Sequence, residues 1–198
     1  MLKMIKGCKV KNVNLLKEEY QIFEKGIMGN VNEDKIQDIF KLFISLQNGK
    51  LFFILEVPAN KVDEELFRND KTAPFHKNIY YIDGLNSEQA IELLDKFGEI
   101  LINDGLCNFG FGAHDFSAEI MKLKYNIVSI NTKTIDKYSK IFDEISIPQT
   151  KLLITAWDTL SANSPGTCKL YKNNGEDIYS VLDQLKNWNI YFAEQTEE

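Results

Sequence analysis

The seven residues Leu51–Val57, Leu-Phe-Phe-Ile-Leu-Glu-Val, constrain the fold more than any other stretch of the chain. They are almost continuously apolar, too few for a helix, and stop at Pro58. A run of this kind reads as a strand buried on both faces, and therefore as an internal strand of a sheet. An internal strand needs neighbours on both sides and a covering layer, so the rest of the chain must supply both.

Upstream, Asn14 is placed to cap a helix running to about Lys25, with Leu16, Tyr20 and Phe23 on one face and Gly26 as its stop. Asn32, Glu33 and Asp34 put a cap and two acids at the positive end of a second helix, striped by Ile36, Ile39, Phe40 and Phe43 and closed by Gly49. Downstream, the charged connection Lys61–Lys71 leads to a strand at Ile79–Ile82. Asn86 or Ser87 then opens the clearest helix, ridged by Ala90, Leu94, Phe97 and Leu101 and ended by Gly105. Leu106–Ala113 and Lys122–Ile130 pair most economically as a hairpin. A helix over Thr134–Ile145, a strand over Leu152–Trp157, a helix over Asp177–Trp188 and an edge strand at Ile190–Ala193 complete the reading.

The expected architecture is one α+β domain over residues 1–198, a mostly antiparallel or mixed sheet covered by helices. Residues 78–157 run strand, helix, strand, strand, helix, strand, the split βαβ order of a ferredoxin-like core. Residues 1–77 add a helical elaboration and the first strand, and 158–198 add a loop, a helix and the edge strand. At 198 residues, such a chain removes about two-thirds of its unfolded surface from water and needs no metal or disulfide to fold.

Charge narrows the partners. The formal net charge is −6, and Arg68 is the single arginine. Phosphate and guanine recognition leans on arginine forks, so nucleic acid is disfavoured. The basic stretch Lys3, Lys6, Lys9, Lys11 reads as a solvated segment. Cys8, Cys107 and Cys168 are odd in number and widely spaced, which fits free thiols in a reducing, cytoplasmic setting. The longest strongly apolar run, Leu51–Leu55, falls far short of the ~20 residues that span a bilayer, so no membrane is expected. Heavy use of lysine, asparagine and isoleucine suggests a bacterial source.

The strong chemical motifs are missing: no phosphate-binding loop, no H-E-x-x-H, no nucleophile elbow and no cysteine quartet. Two histidines, His76 and His114, are too few for a site built on several imidazoles, so neither metal nor cofactor is expected. Two polar stretches remain. In 110–119, Gly110 and Gly112 allow close backbone approach, while His114, Asp115, Ser117 and Glu119 offer a base, carboxylates and a hydroxyl. The plainer account is strand twist and a turn capped by Asp115 or Ser117. In 157–168, Asp158, several hydroxyls and Cys168 follow the expected strand, and a Cys168 nucleophile would need His76 or His114 beside it. Asp63, Glu64 and Glu65 read as a helix start or a wet face.

These features favour a non-catalytic protein-binding module, most concretely an immunity protein that neutralises a basic toxin. Residues 78–133 carry 8 acids against 4 bases and residues 134–198 carry 10 against 6, so an acidic face should come from the later two-thirds of the chain. The alternative is a small hydrolase-like enzyme using the 110–119 and 157–168 loops across one pocket, with His114, Asp115, Glu119, Asp158 and Cys168 as its candidate residues. A small-molecule sensor is the third reading.

Overall fold

The computed structural model describes residues 1–59 and 75–197. The connection Lys61–Lys71, with Asp63, Glu64 and Glu65, lies outside them. In chain order the elements are β1 (Cys8–Lys9), β2 (Glu19–Phe23), β3 (Gly26–Asn30), α1 (Ile36–Ser45), β4 (Leu51–Pro58), β5 (His76–Leu85) and α2 (Ser87–Asn103). There follow β6 (Asn108–Ala113), β7 (Ala118–Lys122), β8 (Ile127–Thr132), α3 (Ile135–Glu144), α4 (Ala156–Thr159), β9 (Thr167–Cys168), α5 (Ile178–Leu185) and β10 (Tyr191–Glu197).

Eight strands form one sheet in the order β10-β5-β4-β6-β7-β8-β3-β2, and every ladder in it is antiparallel. The Leu51–Val57 run is β4, internal as expected. One face of it is completely buried: Leu51, Phe53, Leu55 and Val57 join Phe109 and Phe111 of β6 under the helices. Phe40 of α1 stacks on Phe109 with centroids 4.8 Å apart, and Phe53 meets Phe111 at 5.2 Å. The buried stripes of α1, α2, α3 and α5 all enter this one core. The other face of β4 is only half covered at Phe52 and Glu56, so the strand is not buried on both faces.

Several expectations are corrected. Asn14–Lys25 forms no helix; after one turn at Val13–Leu15 the chain makes the β2–β3 hairpin. Glu19–Phe23 alternates with period two, and a Cβ on Gly26 would stand 2.1 Å from the Ile130 carbonyl oxygen, so only glycine lets β3 close onto β8. Residues 1–59 are therefore rich in strand, with α1 as their α-helix among the described residues. Lys122–Ile130 is not one strand: Tyr125 and Asn126 take left-handed conformations and turn β7 into β8, so β6 pairs with Ala118–Lys122 instead. Leu152–Trp157 forms no strand. The chain touches the β2 edge through one bridge, Tyr20 to Gln149, and then leaves Leu152 72% and Trp157 53% exposed. The ferredoxin-like order over 78–157 consequently fails. A split unit does exist, because β5 and β6 both pair with β4 and are joined by α2, but the strand between them precedes the unit in the chain. No described helix is long and apolar enough to cross a membrane.

Candidate functional site: the open face of the sheet

Side chains alternate across a strand, so the register assigns the face turned away from the helices. One row runs Tyr191, Tyr81, Ile54, Gly110, Met121 across β10, β5, β4, β6 and β7. The next row holds Phe52, Gly112 and Glu119, and on the other side lie Glu194, Ile79, Glu56 and Asn108. Its apolar centre is small: Ile54, Ile79 and Met121, flanked by Tyr81 and Leu123.

Aromatic rings cross this face in a line. Tyr191 stacks on Tyr81 at 6.3 Å, Tyr81 meets Phe52 at 5.7 Å, and Phe52 meets the His114 ring edge-on at 5.9 Å. Carboxylates flank the line. Burial first, and then the charges of Glu119, Glu194, Glu56 and Asp83, push the Tyr81 hydroxyl above its usual range. Burial, and then Glu56, raise the Glu119 carboxyl above the ordinary glutamate range. Tyr191 donates its hydroxyl to Asp83, which holds ring and acid together. Positive charge is represented by Lys77, 3.5 Å from Glu56, which also accepts from the Asn108 amide at 2.8 Å.

The residues singled out from sequence fall into three places. His114 and Asp115 occupy the exposed β6–β7 turn. Asp115 accepts from the Ser117 N–H at 2.9 Å, and the Ser117 contacts hold its carboxyl below the usual range. His114 Nε2 accepts from the Gly84 N–H at 3.1 Å, which occupies the lone pair a general base would use. Gly84 sits at φ +74° in the β5 bulge, a conformation that suits glycine and aims its N–H at the imidazole. Glu119 belongs to the open face. The space left by Gly110 and Gly112 is filled from within, since their missing Cβ atoms would meet Met121 Sδ at 2.2 Å and Phe52 Cζ at 2.1 Å. Asp158 accepts from the N–H and the hydroxyl of Thr155, both at 2.8 Å, closing the capping box of α4, and those bonds lower its carboxyl.

Cys168 is half-buried against Cys8 and Tyr125, with the charges of Lys124 and Lys122 nearby; neither histidine is among these neighbours. The loop that carries it packs on Tyr125 through Trp157 and Gly166, beyond the C-terminal end of β7, whereas the 114–117 turn precedes β7. Five strand residues, about 17 Å, therefore separate the two loops. The recesses beside the turn are lined by residues such as Phe52, Ser117, Glu119 and Thr132, or Gln47, Lys50 and Lys137, with none from 157–168. No group of three or more histidine, cysteine or acidic residues is placed to hold a metal among the described residues. Of the N-terminal lysines, Lys3 pairs with Asp34 and Glu33, and Lys6 with Glu99 at 2.6 Å.

Tyr81, Tyr191, Phe52, Glu56, Asp83 and Glu194 were not singled out from sequence. The alternation Lys77, Ile79, Tyr81, Asp83 and the lone Glu56 in an apolar strand were the available signals. Comparison of the chain with protein-family models, with curated proteins and with solved structures finds no match.

Proposed function

We propose that this chain is a non-catalytic module that binds a basic protein segment on the open face of its sheet, as an immunity protein does when it neutralises a basic toxin in a bacterial cytoplasm. One observation carries the reading: an aromatic line, Tyr191–Tyr81–Phe52, flanked by Asp83, Glu56, Glu119 and Glu194. Flat rings bordered by carboxylates suit arginine and lysine, through cation–π contact and charge-assisted hydrogen bonds. Acidic groups also speed encounter with a basic partner. The same charge disfavours nucleic acid. Against the enzyme reading stand the distance between the two polar loops and the occupied Nε2 of His114.

The test is a titration of the full chain with an arginine-rich peptide, followed by backbone amide shifts. Shifts should cluster at Phe52, Tyr81, Glu119 and Tyr191, weaken with salt, and disappear in the Glu119→Lys, Glu194→Lys double variant. His114→Ala with Asp115→Asn should leave them unchanged. Shifts that follow the 157–168 loop, or a turnover that His114→Ala abolishes in a folded protein, would overturn the proposal.

A further inference from the structure

Outside the large sheet, β1 and β9 form a sheet of two residues each, in which Cys8 lies directly opposite Cys168. The Lys169 N–H donates to the Gly7 carbonyl at 2.8 Å, one residue to the side of this pair. That pattern makes Cys8–Cys168 the non-hydrogen-bonded kind of antiparallel pair, whose side chains approach most closely. The Sγ atoms are 3.2 Å apart as free thiols. Opposed strand positions of this kind have the Cα separation a disulfide requires, so a bond closes here without moving the backbone.

We propose that Cys8 and Cys168 are a redox latch, a thiol pair that a low-molecular-weight disulfide converts into one intramolecular disulfide and a thiol reductant reopens. The two cysteines have distinct parts. Cys168 is half-buried and reachable, while Cys8 is buried. The hydrogen bond from Cys8, then Tyr125 and the charges of Lys124 and Lys122, outweigh partial burial and bring the Cys168 thiol down to about 6. That hydrogen bond and burial push Cys8 up, so Cys8 keeps the proton. The Cys168 thiolate attacks one sulfur of the small disulfide, forms a mixed disulfide and releases one thiolate. Cys8 gives its proton to solvent and attacks the Cys168 sulfur, which forms the Cys8–Cys168 bond and releases the second thiolate. The protein loses two electrons and two protons, and the small disulfide becomes two thiols.

The bond would fasten the N-terminal strand to the loop between α4 and α5. In the reduced protein that loop is held by the Lys169 bonds to Gly7 and Gly105 and by the Tyr171 N–H on Asp104. Cys107 takes no part: it is fully buried, and burial pushes its thiol up to about 12.

The experiment equilibrates the full chain with oxidised glutathione, blocks free thiols under denaturing conditions, and maps peptides without reduction. The expected result is a single Cys8–Cys168 linkage, a mass about 2 Da lower, Cys107 alkylated, and a Tm raised on the order of 10 °C over the reduced protein. Cys8→Ser should stop at a glutathione adduct on Cys168, and Cys168→Ser should form neither adduct nor bond. Three alkylated cysteines, a lasting adduct on the unaltered chain, or linkage between chains would overturn the proposal.

Discussion

Lys122 is fully buried, and its ammonium donates to the carbonyl oxygens of Asp104 at 2.7 Å and Cys107 at 3.2 Å. The β6–β7 register sets it opposite Phe109, on the helix side of the sheet. Asp104 completes the knot by accepting from the N–H groups of Leu106, Cys107 and Tyr171. Lys122→Met keeps the stem but strips two buried carbonyls of their donor, and should cost on the order of 2 kcal/mol in urea unfolding. An unchanged midpoint would mean that desolvating the ammonium costs as much as its bonds return. Glu119 tests the open face through pH. Its folded value lies above the unfolded one, so its contribution is fully present below about pH 4.3 and is lost as pH rises through the folded value. Glu119→Gln has no such proton to lose, so its Tm should gain on the parent's as pH rises from about 4 to 7. Parallel curves would count against the burial of that carboxyl. Neither residue was legible in this role, because a lysine or glutamate in a period-two pattern reads as solvent-facing until the register is known.

Among the elements, α2 was the most legible. Asn86 accepts from the Gln89 N–H at 2.8 Å and the Gln89 side chain accepts from the Asn86 N–H at 3.0 Å, a complete capping box written in four residues. Asn86→Ala should cost about 1 kcal/mol, a fall in Tm of roughly 2–4 °C by calorimetry, with the fold intact. The β2–β3 hairpin was misread for a physical reason. Leu16, Tyr20 and Phe23 fall at helical spacing, while Tyr20 and Ile22 also alternate as a strand; both patterns bury Tyr20, but the strand leaves Phe23 45% exposed. The competition is settled by β8, which lies against β3 and gives the hairpin an edge to join. At Leu152–Trp157 the chain meets the β2 edge only at the Tyr20–Gln149 bridge and through the Leu153 N–H on the Gln21 side chain, then turns into α4. Leu153 and Ala156 are therefore buried, while Leu152, Ile154 and Trp157 stay exposed.

At the scale of the whole molecule, one hydrophobic cluster runs from Leu2 to Leu185 through all the long helices and the helix-facing side of the sheet. Thermal unfolding of the full chain should therefore be a single transition, with far- and near-ultraviolet circular dichroism superimposable. Two separated transitions would show that the core is divided. The open face stands apart from this core. Its own cluster of buried residues is small: Ile54, Ile79 and Met121.

The sequence by itself determined the α+β class, the internal strand Leu51–Val57, the capped helix after Asn86, the helices striped by Phe40, Tyr138 and Val181, and the edge strand that closes the sheet. Those are matters of local period, caps and breakers, which neighbouring residues set among themselves. The tertiary structure alone decided which acids and rings share a face, that the two polar loops sit at opposite ends of β7, and that Cys8 meets Cys168. These depend on register between strands far apart in the chain. A slip of one residue would send every side chain to the other face, and no local pattern records which register is taken.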